Sequence, residues 1–185
     1  MSTTDHKTIG LVRHGETDWN IERRMQGQEN IPLNEQGQRQ SRELGQLIAT
    51  MDWTWDAIVS SPLQRALDTA QAINDFIGPK EIVILNQFME RDFGQASGLT
   101  RDEAKSRFPD GLIPDIENPE DLMSRIVDGL KYLFDRISGN HILLVTHGEV
   151  LRTIYKLIGQ THKVSQKPGN ASIDVITLHL AQLEK

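Results

Sequence analysis

Two histidines, His14 and His147, each stand between a short apolar run and a glycine. The first run, Ile9-Gly10-Leu11-Val12, leads into Arg13-His14-Gly15; the second, Ile142-Leu143-Leu144-Val145-Thr146, leads into His147-Gly148. Runs of this length read as buried strands. In open α/β sheets ligands bind beyond the carboxyl ends of the strands. Two such ends can bring two imidazoles and Arg13 into one pocket. Arg65, one helical turn past Ser61, and Glu90, after a third strand, are placed to join them. This set suits a phosphoryl group, whose oxygens need donors and positive charge between a nucleophile and a leaving group. Arginine meets such oxygens with a planar fork of donors. His14 is the candidate nucleophile, a neutral imidazole with one nitrogen fixed by a hydrogen bond. Glu90 is the candidate acid for the leaving oxygen and, once ionised, the base for water. Gly15 and Gly148 are read as leaving room for backbone close to the anion, with N–H donors from the helix after Gly148.

The elements that must position these groups alternate. A polar loop holding Arg23, Arg24, Gln26, Gly27 and Gln28 runs to Asn34, which caps a helix over 35–50 with Leu44, Leu47 and Ile48 inward. A strand over 56–60 precedes Ser61-Pro62, read as N-cap and first helical position. That helix turns Leu63, Ala66, Leu67, Ala70 and Ile73 inward and stops at Gly78-Pro79. A short strand covers 81–85. Between Gly94 and Asn118 periodicity dissolves into one short polar helix near 99–108 and a proline-rich stretch, an excursion over the site. A long amphipathic helix opens at Asn118-Pro119, with Leu122, Ile126, Leu130, Leu133, Phe134 and Ile137 inward. A strand over 141–146, a helix over 149–157 and a strand over 173–180 close the chain. This order predicts an α/β fold, a three-layer α/β/α arrangement with a mostly parallel sheet. The last strand is free to run antiparallel at an edge. Residues 1–185 are expected to form one domain, with a lid-like excursion at about 94–119.

Composition narrows the chemistry. The net charge of −6 argues against general nucleic-acid binding but leaves room for a locally positive pocket. Cysteine is absent, which excludes disulfides, thiolate metal sites and cysteine-nucleophile phosphatase chemistry in this chain. No apolar run reaches the roughly 20 residues of a membrane helix, and the polar start has no signal-peptide core, so a cytoplasmic location is expected. The Walker glycine-rich lysine motif is missing. A zinc site on His14 and His147 lacks a third ligand at convincing spacing. Trp53 and Trp55 read as packing; His6, His141, His162 and His179 as structural or solvated. Arg101, Lys105 and Arg107 share a helix with acids and read as a solvated face.

The blocks, taken together and in order, resemble the histidine phosphatase superfamily, in its phosphoglycerate-mutase-like branch. The likeness is carried by Leu11-Val12-Arg13-His14-Gly15-Glu16-Thr17-Asp18-Trp19-Asn20, continued by Arg23, Gln26-Gly27 and Leu33-Asn34 through Gly37. Ser60-Ser61-Pro62-Leu63-Gln64-Arg65-Ala66, Glu90-Arg91-Asp92-Phe93-Gly94, Val145-Thr146-His147-Gly148 and Asn170-Ala171-Ser172-Ile173 complete it. The resemblance implies a phosphohistidine on His14, with Arg13, Arg65 and His147 holding the phosphoryl group and Glu90 moving the proton. It also implies substrate contacts from Asn20 and Gln26, and neither metal nor cofactor. Mutases of the branch carry a longer, more basic insertion after the acid block, whereas this chain has a short proline-rich segment. The expectation is therefore a metal-independent phosphomonoesterase for a small phosphorylated metabolite, with the oligomeric state left open. A bisphosphoglycerate-dependent phosphoglycerate mutase is the alternative within the class, and a non-catalytic phospholigand-binding protein the alternative outside it.

Overall fold

The computed structural model describes residues 5–52, 54–78, 80–164 and 168–184. Its five strands are β1 (His6–Arg13), β2 (Ala57–Ser60), β3 (Ile82–Ile84), β4 (His141–Thr146) and β5 (Ile173–His179). They form one sheet in the order β3-β2-β4-β1-β5. The first three pairings in that order are parallel, and β5 runs antiparallel to β1 at the edge.

The helices are α1 (Asp18–Ile21), α2 (Glu35–Ala49), α3 (Gln64–Ile77), α4 (Arg101–Arg107), α5 (Pro119–Arg136), α6 (Gly148–Leu157) and α7 (Thr161–Val164). Strand side chains alternate between faces, and both faces of β4 are buried. Leu143 and Val145 pack with Leu44, Ile48, Ala66 and Ile73 of α2 and α3. Ile142 and Leu144 pack with Ile126, Leu130, Leu151 and Ile154 of α5 and α6. That gives the three layers. A Cβ on Gly10 would lie 2.8 Å from the Trp55 ring, so this strand glycine makes space for the buried indole. Trp53 lies outside the described residues.

Asn34 caps α2 by accepting from the Gly37 N–H, and Asn118 caps α5 by accepting from Asp121. Two expectations fail. Leu47 is 53% exposed, because the buried stripe of α2 runs through Gly37, Ser41, Leu44, Gly45 and Ile48 and is rotated toward small residues, of which Ser41 and Gly45 meet α3 and Gly37 meets Glu16. Ser61 does not cap α3, which starts at Gln64 after Leu63 with no side-chain cap. Ser61 instead prolongs the sheet, its N–H donating to the Val145 carbonyl at 3.0 Å. Asp56, also read into β2, accepts from the N–H groups of Asn140 and His141.

Candidate active site

Register brings the two histidines together. β1 and β4 pair with Arg13 opposite Thr146, and the His14 N–H extends the ladder to the Thr146 carbonyl at 3.1 Å. The next residues, His14 and His147, thus leave neighbouring strand ends, with ring centroids 5.2 Å apart. β2 ends beside β4, and the Ser61 hydroxyl reaches His147 Nε2 at 2.7 Å. The hydroxyl that sequence reading gave to a cap therefore orients an imidazole.

His14 Nδ1 lies 2.6 Å from the Gly15 carbonyl. A carbonyl only accepts, so Nδ1 carries the hydrogen and Nε2 keeps its lone pair. Burial foremost, then the guanidiniums of Arg65 and Arg13, hold the His14 pKa well below the usual imidazole range. A neutral imidazole with one free nitrogen is a nucleophile in form.

Arg65, at the start of α3, has no exposed surface. It donates to the carbonyls of Glu29 at 2.7 Å and Gly27 at 2.8 Å. Arg13 donates to the Pro168 carbonyl at 2.6 Å. Each guanidinium is fixed through its terminal nitrogens, while Arg13 Nε and Arg65 Nε stay buried without a partner. His147 Nδ1 and Gln26 Oε1 share that condition. Buried polar groups are normally paired. Three of these four are nitrogens able to donate, set around His14, and an anion with several oxygens would satisfy them together.

Glu90 follows a 3-10 turn over Asn86–Phe88. Its Oε1 accepts from the N–H of Arg91 at 2.9 Å and of Glu149 at 3.2 Å. Burial is the main cause that raises its pKa, with the Glu149 carboxylate adding and the two N–H groups and Arg65 opposing. The α6 terminus is thus turned in part toward Glu90, not only toward an anion. The acid loop is held from behind by Arg125 of α5, a residue that sequence reading passed over. Its guanidinium donates to the carbonyls of Gln87, Met89 and Glu90 and to both oxygens of Glu117.

Arg13, His14, Asn20, Gln26, Arg65, Glu90 and Gly148 all line one cleft of about 730 Å³. His147 is not among the lining residues, but its ring lies against that of His14, tilted by 54°. Asn20 uses its Oδ1 to accept from Thr17 and from Asn170, which also bonds the carbonyls of His14 and Gly15. Asn170, which the sequence reading carries only as part of the Asn170–Ile173 block and without a role, is a second positioning group. A Cβ on Gly148 would meet Glu90 Oε2 at 3.8 Å and Arg13 Nε at 3.9 Å, in the space between acid and guanidinium. Gly15 has another cause than anion approach: a Cβ there would lie 2.5 Å from the Gly37 carbonyl of α2. Arg101 is exposed, as read, and it also lines the cleft with Thr100 and Asp102, so the excursion borders the site.

The sequence profile of the histidine phosphatase superfamily (branch 1) matches residues 9–183. The chain belongs to this superfamily. Among its relatives, the uncharacterized phosphatase PhoE of Bacillus subtilis is 42% identical over 146 residues, covering 79% of this chain and 74% of its own. A probable phosphoglycerate mutase, GpmB of Salmonella arizonae, is 35% identical over 161 residues, 81% of this chain and 74% of its own. A phosphoserine phosphatase of Entamoeba histolytica, solved with 3-phosphoglyceric acid, superposes with a TM-score of 0.75 at 30% identity, over 91% of this chain and 89% of that one. Phosphatases and mutases thus both stand near this chain. Among the described residues no helix is long and apolar enough to cross a membrane.

Two buried neutral imidazoles carry a stability cost in acid. The pKa of His147 is also lowered, by burial first and then by Arg65, His14 and Arg13. As pH falls below 6.5, the unfolded chain takes up protons that folded His14 and His147 refuse, so folding stability falls with pH. Glu90 has the opposite sign, with one proton against two. The urea midpoint of this superfamily member is expected to drop between pH 7.5 and pH 5.5, and the drop to shrink in a His147→Gln variant. A midpoint flat across that window would contradict the buried neutral pair.

Proposed function

We propose that this chain is a metal-independent phosphomonoesterase acting on a small phosphorylated metabolite through a phosphohistidine on His14. The observation that carries the reading is the ring of buried, unpartnered nitrogens on Arg13, Arg65 and His147 around a histidine whose Nε2 lone pair is free.

In this mechanism His14 Nε2 attacks phosphorus in line, the new P–N bond forms, and the bond to the ester oxygen breaks. Protonated Glu90 gives its hydrogen to the departing oxygen, so a neutral alcohol leaves. Arg13 and Arg65 carry the charge on the equatorial oxygens. With Ser61 donating to His147 Nε2, the imidazole hydrogen sits on Nδ1 as a further donor. The Glu90 carboxylate then takes a proton from water, the oxygen attacks phosphorus, the P–N bond breaks, and orthophosphate leaves a neutral His14 behind. Asn20, Gln26 and Gly148 shape the substrate side of the cleft.

Mutase chemistry is the second reading, favoured by the likeness to GpmB. The short segment between Gly94 and Asn118 weighs against it. An assay on 3-phosphoglycerate with bisphosphoglycerate present, following phosphate and 2-phosphoglycerate together, separates the two. Phosphate release without isomerisation is expected, at a rate that EDTA leaves unchanged. Isomerisation outrunning hydrolysis would make it a mutase, and loss of the rate in chelator would refute metal independence.

A further inference from the structure

The short helix α1 ends in a Schellman turn. The Arg24 N–H donates to the Trp19 carbonyl at 2.9 Å, and the Arg23 N–H to Asn20 at 3.2 Å. The residue just past the cap of such a turn is left-handed and most often glycine, because a Cβ is strained there. Here it is Arg23, with φ 57°. An arginine in a glycine's conformation needs a reason beyond the turn, since strain of this kind gathers at functional sites.

The side chain supplies a reason. Arg23 lines the same cleft as His14 and Arg65. Most other charges at the mouth are engaged. Arg24 holds Glu22 and Glu103, and Arg152 holds Glu149 at 2.7 Å. Among the described residues Arg23 and Arg101 form no ion pair, and both line the cleft, which they share with Glu22, held by Arg24, and with Asp102. A cleft of about 730 Å³ also exceeds what one phosphoryl group fills.

We propose that Arg23 is a specificity-determining residue that reads a second anionic group, a carboxylate or a further phosphate, on the part of the substrate beyond the phosphoryl. The proposal rests on the phosphatase reading and narrows its substrates to phosphorylated acids or bisphosphates. The Arg23 backbone and side chain then have separable effects. Arg23→Gly relieves the left-handed strain and removes the charge; Arg23→Gln removes the charge alone.

The test measures dissociation constants by calorimetry in a His14→Ala background, so that nothing turns over. Two matched pairs serve: 3-phosphoglycerate against glycerol 3-phosphate, and fructose 1,6-bisphosphate against fructose 6-phosphate. With Arg23 present, the doubly anionic member of at least one pair is expected to bind about tenfold tighter, equal to 1.4 kcal/mol. The responding pair shows whether carboxylate or phosphate is read. That preference is expected to vanish in both Arg23 variants, while Arg23→Gly raises Tm by about 2 °C and Arg23→Gln does not. A preference retained in either variant, or absent with Arg23 in place, overturns the proposal. Failure of the wild-type chain to hydrolyse any ester would strike the phosphatase reading instead and leave this binding comparison decisive for Arg23.

Discussion

Replacing His14 by alanine is expected to lower turnover of every phosphate ester by on the order of 10⁴-fold or more, while the chain still folds. Among the described residues His14 is the one histidine that lines the cleft with Arg13 and Arg65. His147 turns its Nε2 to Ser61, which leaves Nδ1 with the hydrogen and no lone pair to offer. The fold should survive because His14 is held mainly by its backbone, through the Thr146 carbonyl on one side and the Ala171 N–H on the other. Its side chain contributes one hydrogen bond, to Gly15, worth about 1 kcal/mol. The checks are steady-state rates on phenyl phosphate, acid-labile phosphate label on the protein, and a urea midpoint. Groups that act as one unit do not add, so the His14→Ala/Glu90→Gln double variant should be no slower than His14→Ala. A single variant that keeps wild-type rates or labelling would remove the phosphohistidine from the mechanism.

The parts of this site that sequence reading reached are those with a local signal. β1 and β4 were legible as apolar runs, and the helix caps Asn34 and Asn118 as polar residues ahead of amphipathic stripes. That His14 and His147 would face each other depends on β1 and β4 being neighbours in register. Two strand ends 133 positions apart only permit that arrangement. Ser61 shows where local reasoning misleads. Ser-Pro before an apolar stripe is a good helix start, but its hydroxyl is drawn to an imidazole 86 residues away. Arg125 gives no local sign at all, because its carbonyl partners lie 35 to 38 residues upstream on a loop with no periodicity. Gly15 has a reason that its position after His14 does not reveal: a Cβ there would meet the backbone of α2. Leu47 reads as inward because glycine and serine, which share the true stripe with Leu44 and Ile48, do not register as hydrophobic. Long-range polar partners and small-residue faces are thus what apolar periodicity leaves out.

Glu90→Gln is expected to separate substrates by their leaving groups. The amide suits the site. Its oxygen can keep both bonds that Oε1 accepts, from the N–H groups of Arg91 and Glu149, so the side chain stays where the carboxyl was. Only the transferable proton is lost. An alkyl phosphate, whose alkoxide cannot leave unprotonated, should slow by about 10²- to 10⁴-fold. The first half-reaction of p-nitrophenyl phosphate should change less than tenfold, since nitrophenolate needs little help to leave. The second half-reaction also uses Glu90, as base toward water. The variant should therefore release nitrophenolate in a burst of one equivalent per enzyme and then stall as phosphoenzyme. The wild-type pH profile carries the same signature. Burial raises the Glu90 pKa, so the acid form persists above the usual carboxylate range and is lost as pH rises through the raised value. The alkyl-ester rate then falls on the alkaline side, and the nitrophenyl burst rate does not. Rapid-quench kinetics on the two esters read both effects. Equal losses on both, with no burst, would mean that Glu90 positions the substrate without transferring a proton, and another group would have to protonate the leaving oxygen.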